Sequence, residues 1–89
     1  MKYLVLGCDV VGGQPLREEN ELLAKDMPVD LPADLVAEML AWNEQMADAV
    51  VAKTEADGAL ARLNLDGESL AARIAVAVSG GAKVRYLSE

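Results

Sequence analysis

Between Leu31 and Lys53 the chain reads LPADLVAEMLAWNEQMADAVVAK, in which Leu35, Met39, Trp42, Met46, Ala49 and Lys53 recur at spacings of four, three, four, three and four. Only an α-helix brings positions spaced this way onto one face. About a quarter of an 89-residue chain is therefore committed to a single amphipathic helix. Val36, Leu40, Ala47 and Val50 widen the apolar stripe, and Asp34, Glu38, Glu44, Gln45 and Asp48 populate the other side. Pro32 suits the first helical turn, where a missing N–H costs nothing, and Asp30 just upstream reads as the N-cap.

The flanking segments set what this helix packs against. Lys2 to Cys8 (KYLVLGC) is a near-continuous apolar run ending at Asp9 and Gly12-Gly13, which reads as a strand covered on both faces. From Val11 to Asp30 two prolines, a Gly-Gly pair and the acids Glu18, Glu19 and Glu21 break any period, so this stretch reads as a long loop holding at most one short helical turn. The helix should end between Thr54 and Gly58, with Ala59 to Leu65 as a connector or short extension. Asp66 then reads as the N-cap of a second helix, with Leu65 and Leu70 as its hydrophobic staple. Leu70, Ala71, Ile74, Ala77 and Val78 form its buried face, and Gly80-Gly81 stop it by permitting positive φ. Ala82 to Leu87 (AKVRYL) alternates cations with Val84 and Tyr86, as a half-exposed strand does.

The expected architecture is a single α+β domain over residues 1–89, β-α-α-β, in which a helical hairpin packs on a small antiparallel sheet. An even number of passes between the two strands predicts that they run antiparallel, as a two-stranded sheet with an edge left open to a partner or a second copy.

Composition narrows the function classes. The chain is 53% apolar but only 3% aromatic, with much of the apolar part alanine, so its one core is small. A formal charge of -7 and a pI near 4.4 repel phosphates and anionic membrane surfaces, and the eight cations are scattered, with only Lys83 and Arg85 within two residues of each other. Neither a nucleic acid nor a membrane is the expected partner. No apolar run approaches the roughly 20 residues that span a bilayer. One cysteine, no intramolecular disulfide and no secretory pattern ahead of the first strand predict a reducing, cytoplasmic setting.

A chain without histidine lacks the usual general base, the commonest zinc ligand and the Ser-His or Cys-His nucleophile pair. Cys8 reads as a small core residue. LGCDVVGG, Leu6 to Gly13, has the strand-then-glycine start of a phosphate loop but neither GxGxxG spacing nor a closing Lys-Ser or Lys-Thr. Carboxylates pair at i, i+4 in Asp34/Glu38 and Glu44/Asp48, where repulsion would be relieved by a basic partner or a divalent ion, and no DxDxDG calcium spacing occurs. Trp42 reads as the packing anchor of an alanine-rich core, flanked one turn away by Met39 and Met46.

At LPADLVAEMLAWNEQM, LDGESLAARIA and VRYLSE the chain resembles a group of small actinobacterial proteins of unknown function. These share an N-terminal strand, a Pro-led helix with a Trp-Asn pair, an LDxxGxxLAxR-type second helix and a VxY-type final strand. LDGESLAAR departs from that pattern at the glycine. The resemblance implies a compact α/β unit and no activity.

The functional expectation is a non-enzymatic acidic interaction module for a basic protein partner, of the kind used by inhibitors, antitoxin or immunity-like factors and phage-encoded modulators of host proteins. Glu18, Glu19, Glu21, Glu38, Glu44 and Asp48 are the candidate partner-binding residues. No catalytic, cofactor-binding or metal residue is assigned. The alternatives are an assembly subunit acting through homodimerisation and a small carboxylate-dependent enzyme.

Overall fold

The computed structural model describes residues 1–10, 14–19, 27–52 and 58–88. Its elements are β1 (Lys2–Gly7), β2 (Leu16–Glu18), α1 (Ala33–Ala52), α2 (Ala59–Ala77) and β3 (Ala82–Leu87). The α+β class, the helical hairpin and the β-α-α-β order all hold, with one strand added. β1 lies in the middle of a three-stranded sheet ordered β2-β1-β3.

The added strand overturns the two-stranded antiparallel sheet. β2 pairs antiparallel with β1, and β3 pairs parallel with it, in register from Lys2↔Ala82 to Gly7↔Leu87. The reason is parity. β2 lies inside the stretch read as a loop and contributes a return pass, so the chain makes three passes, an odd number, between β1 and β3. A three-residue strand offers almost no alternation to read, and Pro15 beside it looks like a breaker.

The helix starts also differ from the expected ones. The Val36 amide donates to the Pro32 carbonyl at 3.0 Å, which makes Pro32 the cap of α1 and leaves Asp30 upstream of it. α2 begins at Ala59 and is capped by Gly58, in the left-handed region at φ 66 and eight residues ahead of the expected Asp66 cap. Asp66 is an exposed mid-helix residue and Leu65 is exposed rather than stapled to the buried Leu70. The C-terminal stop is as expected, since Gly80 and Gly81 sit at φ 81 and 84. The expected turn from Thr54 to Asp57 lies outside the described residues, as do Lys53 and Gly12-Gly13.

Leu4, Leu6 and Leu16 from the sheet meet Leu35, Met39, Trp42 and Met46 of α1 and Leu63, Leu70, Ala71 and Ile74 of α2 in one core. Leu40 does not join it; at 43% exposure it sits outside the buried stripe. Among the elements, α1 brings its backbone close only to α2, whereas α2 lies against both β1 and β3. Long side chains, not backbone proximity, therefore tie α1 to the sheet. β3 presents Val84 and Tyr86 inward and Lys83 and Arg85 outward, as its alternation predicts.

Candidate interaction surface

Two adjacent residues fix α1. The buried Trp42 donates its indole N–H to the Leu63 carbonyl of α2 at 2.8 Å and stacks obliquely on Tyr86, with ring centroids 6.0 Å apart. Asn43, the one buried polar side chain among the described residues, accepts from the Asp9 amide at 2.8 Å and donates to the Asp9 carbonyl at 3.2 Å. Its amide thus imitates a neighbouring strand at the end of β1, while the Asp9 carboxylate accepts from the Gln14 amide just ahead of β2. Asn43 reads in the sequence as just another residue beside Trp42. Its three-residue spacing to Met46 and four-residue spacing to Met39 were the signals that it lies on the core side.

With α1 held this way, its opposite face is a continuous solvent stripe. Asp34, Glu38, Glu44 and Asp48 are all exposed on it, with Ala37, Ala41 and Gln45 between them. No cation occurs in the twenty residues of α1. Along the α2 side of the stripe runs an open groove of about 320 Å³, its floor made by Trp42, Leu63 and Leu70 and its rim by Glu38, Gln45, Asp66, Ser69 and Arg73. Arg73 reaches across to Glu38 at 2.5 Å. Asp66, whose expected role was capping, is part of this rim, and Arg73 is a residue that spacing alone did not single out.

The candidate partner-binding residues divide between two layers. Glu38, Glu44 and Asp48 share the α1 stripe, and Trp42 lies beneath them. Glu18 and Glu19 sit on the sheet, where Glu18 pairs with Lys2 at 2.7 Å and Glu19 with Arg85 at 3.4 Å. Glu21 lies outside the described residues. The strands carry Lys2, Arg17, Lys83 and Arg85 against the single acid Glu18, so cations scattered along the sequence are collected on the sheet. Arg17 Nε is buried there without a hydrogen-bond partner among the described residues.

The Cys8 thiol is half-buried, packs against the core and lies 3.9 Å from the Asn43 carbonyl. Among the described residues no three histidine, cysteine, aspartate or glutamate side chains converge as a metal site, and no helix is long and apolar enough to cross a membrane. The arrangement is an acidic helix beside an open groove with an apolar floor and a polar, charged rim. The chain matches no family model, no curated protein and no solved structure.

Proposed function

We propose that this protein is a non-enzymatic interaction module whose α1 face docks a basic protein partner. One observation carries the reading: four exposed carboxylates and no cation along the solvent stripe of a helix whose other face is locked by Trp42 and Asn43. Such a field raises the rate of encounter with a cationic surface and fixes its orientation, while the groove along the α2 edge of the stripe adds the apolar floor of Trp42, Leu63 and Leu70. The chain's lack of histidine supports a binding role over acid-base catalysis. The roles that fit are those of an inhibitor, an antitoxin or immunity-like factor, or a phage-encoded modulator of a host protein.

The test is capture of the tagged protein's partner from native-host lysate across a salt series, with wild type beside Glu44→Lys/Asp48→Lys. These two carboxylates have no cationic partner among the described residues, unlike Glu18, Glu19 and Glu38. The expected result is a basic protein retained at low salt, with retention reduced about tenfold by the double reversal and a flatter salt response. Retention indifferent to both salt and the reversal would remove the electrostatic basis of the proposal.

A further inference from the structure

We propose that the end of the groove between Gln45 and Asp66 is an anchor site for an arginine side chain of the basic partner, an inference that rests on α1 docking a cationic surface. The hairpin itself holds the template. Arg73 of α2 reaches across the groove to Glu38 of α1. Seven residues back on α2 stands Asp66, seven residues forward on α1 stands Gln45, and all four side chains line the same groove. Because the two helices run antiparallel, those equal steps, about two turns each, set Asp66 against Gln45 at the other end. One end of the groove is thus closed by a guanidinium on a carboxylate, and the other presents a carboxylate opposite a neutral amide.

Charge selects a cation for that end. Asp66 is exposed and makes no ion pair among the described residues, not even with Arg62 one turn earlier on α2. Asp48 follows Gln45 by three residues, which keeps it on the same side of α1, and it too is exposed and unpaired among the described residues. Glu38 at the far end is neutralised by Arg73, so the uncompensated negative charge of the groove lies at the Asp66 end. A cation brought there is attracted by both walls.

The lining selects arginine among cations. Trp42, Leu63 and Leu70 form a floor on which an aliphatic stem lies while its charged head stays at the rim. The acceptors available to that head are spread over two helices: the Asp66 carboxylate and Ser69 hydroxyl on α2, and the Gln45 carboxamide oxygen on α1. A guanidinium presents five N–H donors in a planar fork and meets separated acceptors at once, whereas an ammonium is a compact, strongly hydrated point charge. Trp42, the only tryptophan of the chain, lies on this floor with its indole N–H bonded to the Leu63 carbonyl, so it reports on the site directly.

The experiment is an NMR titration of the full chain with N-acetyl-arginine amide, read at the Trp42 indole N–H, with N-acetyl-lysine amide as the probe of equal charge and N-acetyl-citrulline amide as the neutral isostere. The arginine probe should give a saturable shift with a Kd of about 10 mM, as suits one side chain, and the other two should bind about threefold or more weakly. Asp66→Asn should weaken the arginine probe about threefold or more, while Glu68→Gln, which removes the same charge from α2 outside the groove, should leave it unchanged. Both residues are exposed in mid-helix, so neither substitution endangers the fold. No saturable Trp42 shift, lysine binding equal to arginine, or Asp66→Asn behaving as Glu68→Gln overturns the anchor. A basic partner lost by Glu44→Lys/Asp48→Lys but held by Asp66→Asn as tightly as by wild type also overturns it, and leaves the α1 reading standing. Arginine-selective binding beside capture that ignores the double reversal keeps the site and removes the α1 reading.

Discussion

Asn43 does more than fill a place in the core. Its carboxamide satisfies both backbone groups of Asp9, one as acceptor and one as donor, at a point where β1 has run out of strand to pair with. Asn43→Ala removes both of these bonds, and each hydrogen bond of this kind contributes about 1 kcal/mol. A loss of about 2 kcal/mol is expected in urea denaturation, with the slope unchanged. A midpoint that does not move would mean that solvent replaces the side chain at no cost. Trp42 makes the equivalent attachment on the neighbouring side, to Leu63 of α2. The Trp-Asn pair of the sequence is thus a two-way fastener, and neither spacing nor composition discloses that the two residues bond to different elements.

At the scale of elements, the meeting of α2 with β3 depends on Gly67. A Cβ built there would lie 2.6 Å from Tyr86 Cζ and 2.7 Å from its hydroxyl oxygen, with Cε1 also in contact. The ring occupies that notch because its hydroxyl donates to Asn64 Oδ1 at 2.6 Å. Gly67→Ala is expected to cost about 2 kcal/mol through overpacking, although alanine is the better helix former by about 1 kcal/mol. In a Tyr86→Ala background the clash is gone, so the same substitution should become stabilising by about 1 kcal/mol. A double-mutant cycle by thermal or urea unfolding reads this reversal of sign, and additive effects would contradict the contact. Read from sequence, Gly67 sits in a helical period as a simple weakness; its use appears only when β3 is placed.

The acidic helix poses the opposite case, a local cost without a packing reason. Glu44 and Asp48 repel at i, i+4, and α1 has no cation in its last turn to favour the negative end of its dipole. Asp48→Lys converts the pair to the favourable Glu-then-Lys order and should stabilise the protein by about 0.5–1 kcal/mol while weakening partner capture. A destabilised variant would show that Asp48 has a structural duty. These two helices were legible to different degrees. The buried stripe of α1 follows directly from its period, and so does its acidic face. The first turns of α2 were missed because Ala59, Leu60 and Ala61 carry no capping signal, and because Asp66 looks like a better cap than a left-handed Gly58.

At the scale of the whole molecule, charge among the described residues is sorted unevenly by element: α1 carries carboxylates and no cation, α2 carries two acids and two arginines, and the strands carry four cations against Glu18. Half of this sorting was readable, because the α1 acids follow the helical period. The other half needed the sheet order, since Arg17 and Arg85 face each other across Val5 only once β2 and β3 flank β1. The same three residues of β2 decided the direction of β3. A short strand thus carried more topological information than the two long helices, and it was the element that sequence periodicity could least resolve. The candidate site suffered less, because α1 holds most of it within one self-evident period; its α2 wall, with Asp66 and Arg73, came only from the packing of the hairpin.

The parallel pairing of β1 with β3 also determines how the molecule bears a load. Lys2 and Leu87 lie at opposite ends of a six-residue ladder, so tension applied between them slides one strand along the other and strains all of its rungs together. Lys2 and Glu18 lie at the same end of the antiparallel β1–β2 pair, and tension between those points peels the rungs apart singly. Pulled in an optical trap through handles at residues 2 and 87, the protein should yield at a distinctly higher force than through handles at residues 2 and 18. Equal forces would show that the ladder is not what resists. An antiparallel β3 would have made both directions of pull a peel, so the short strand that turned β3 around converts a zipper into a lap joint.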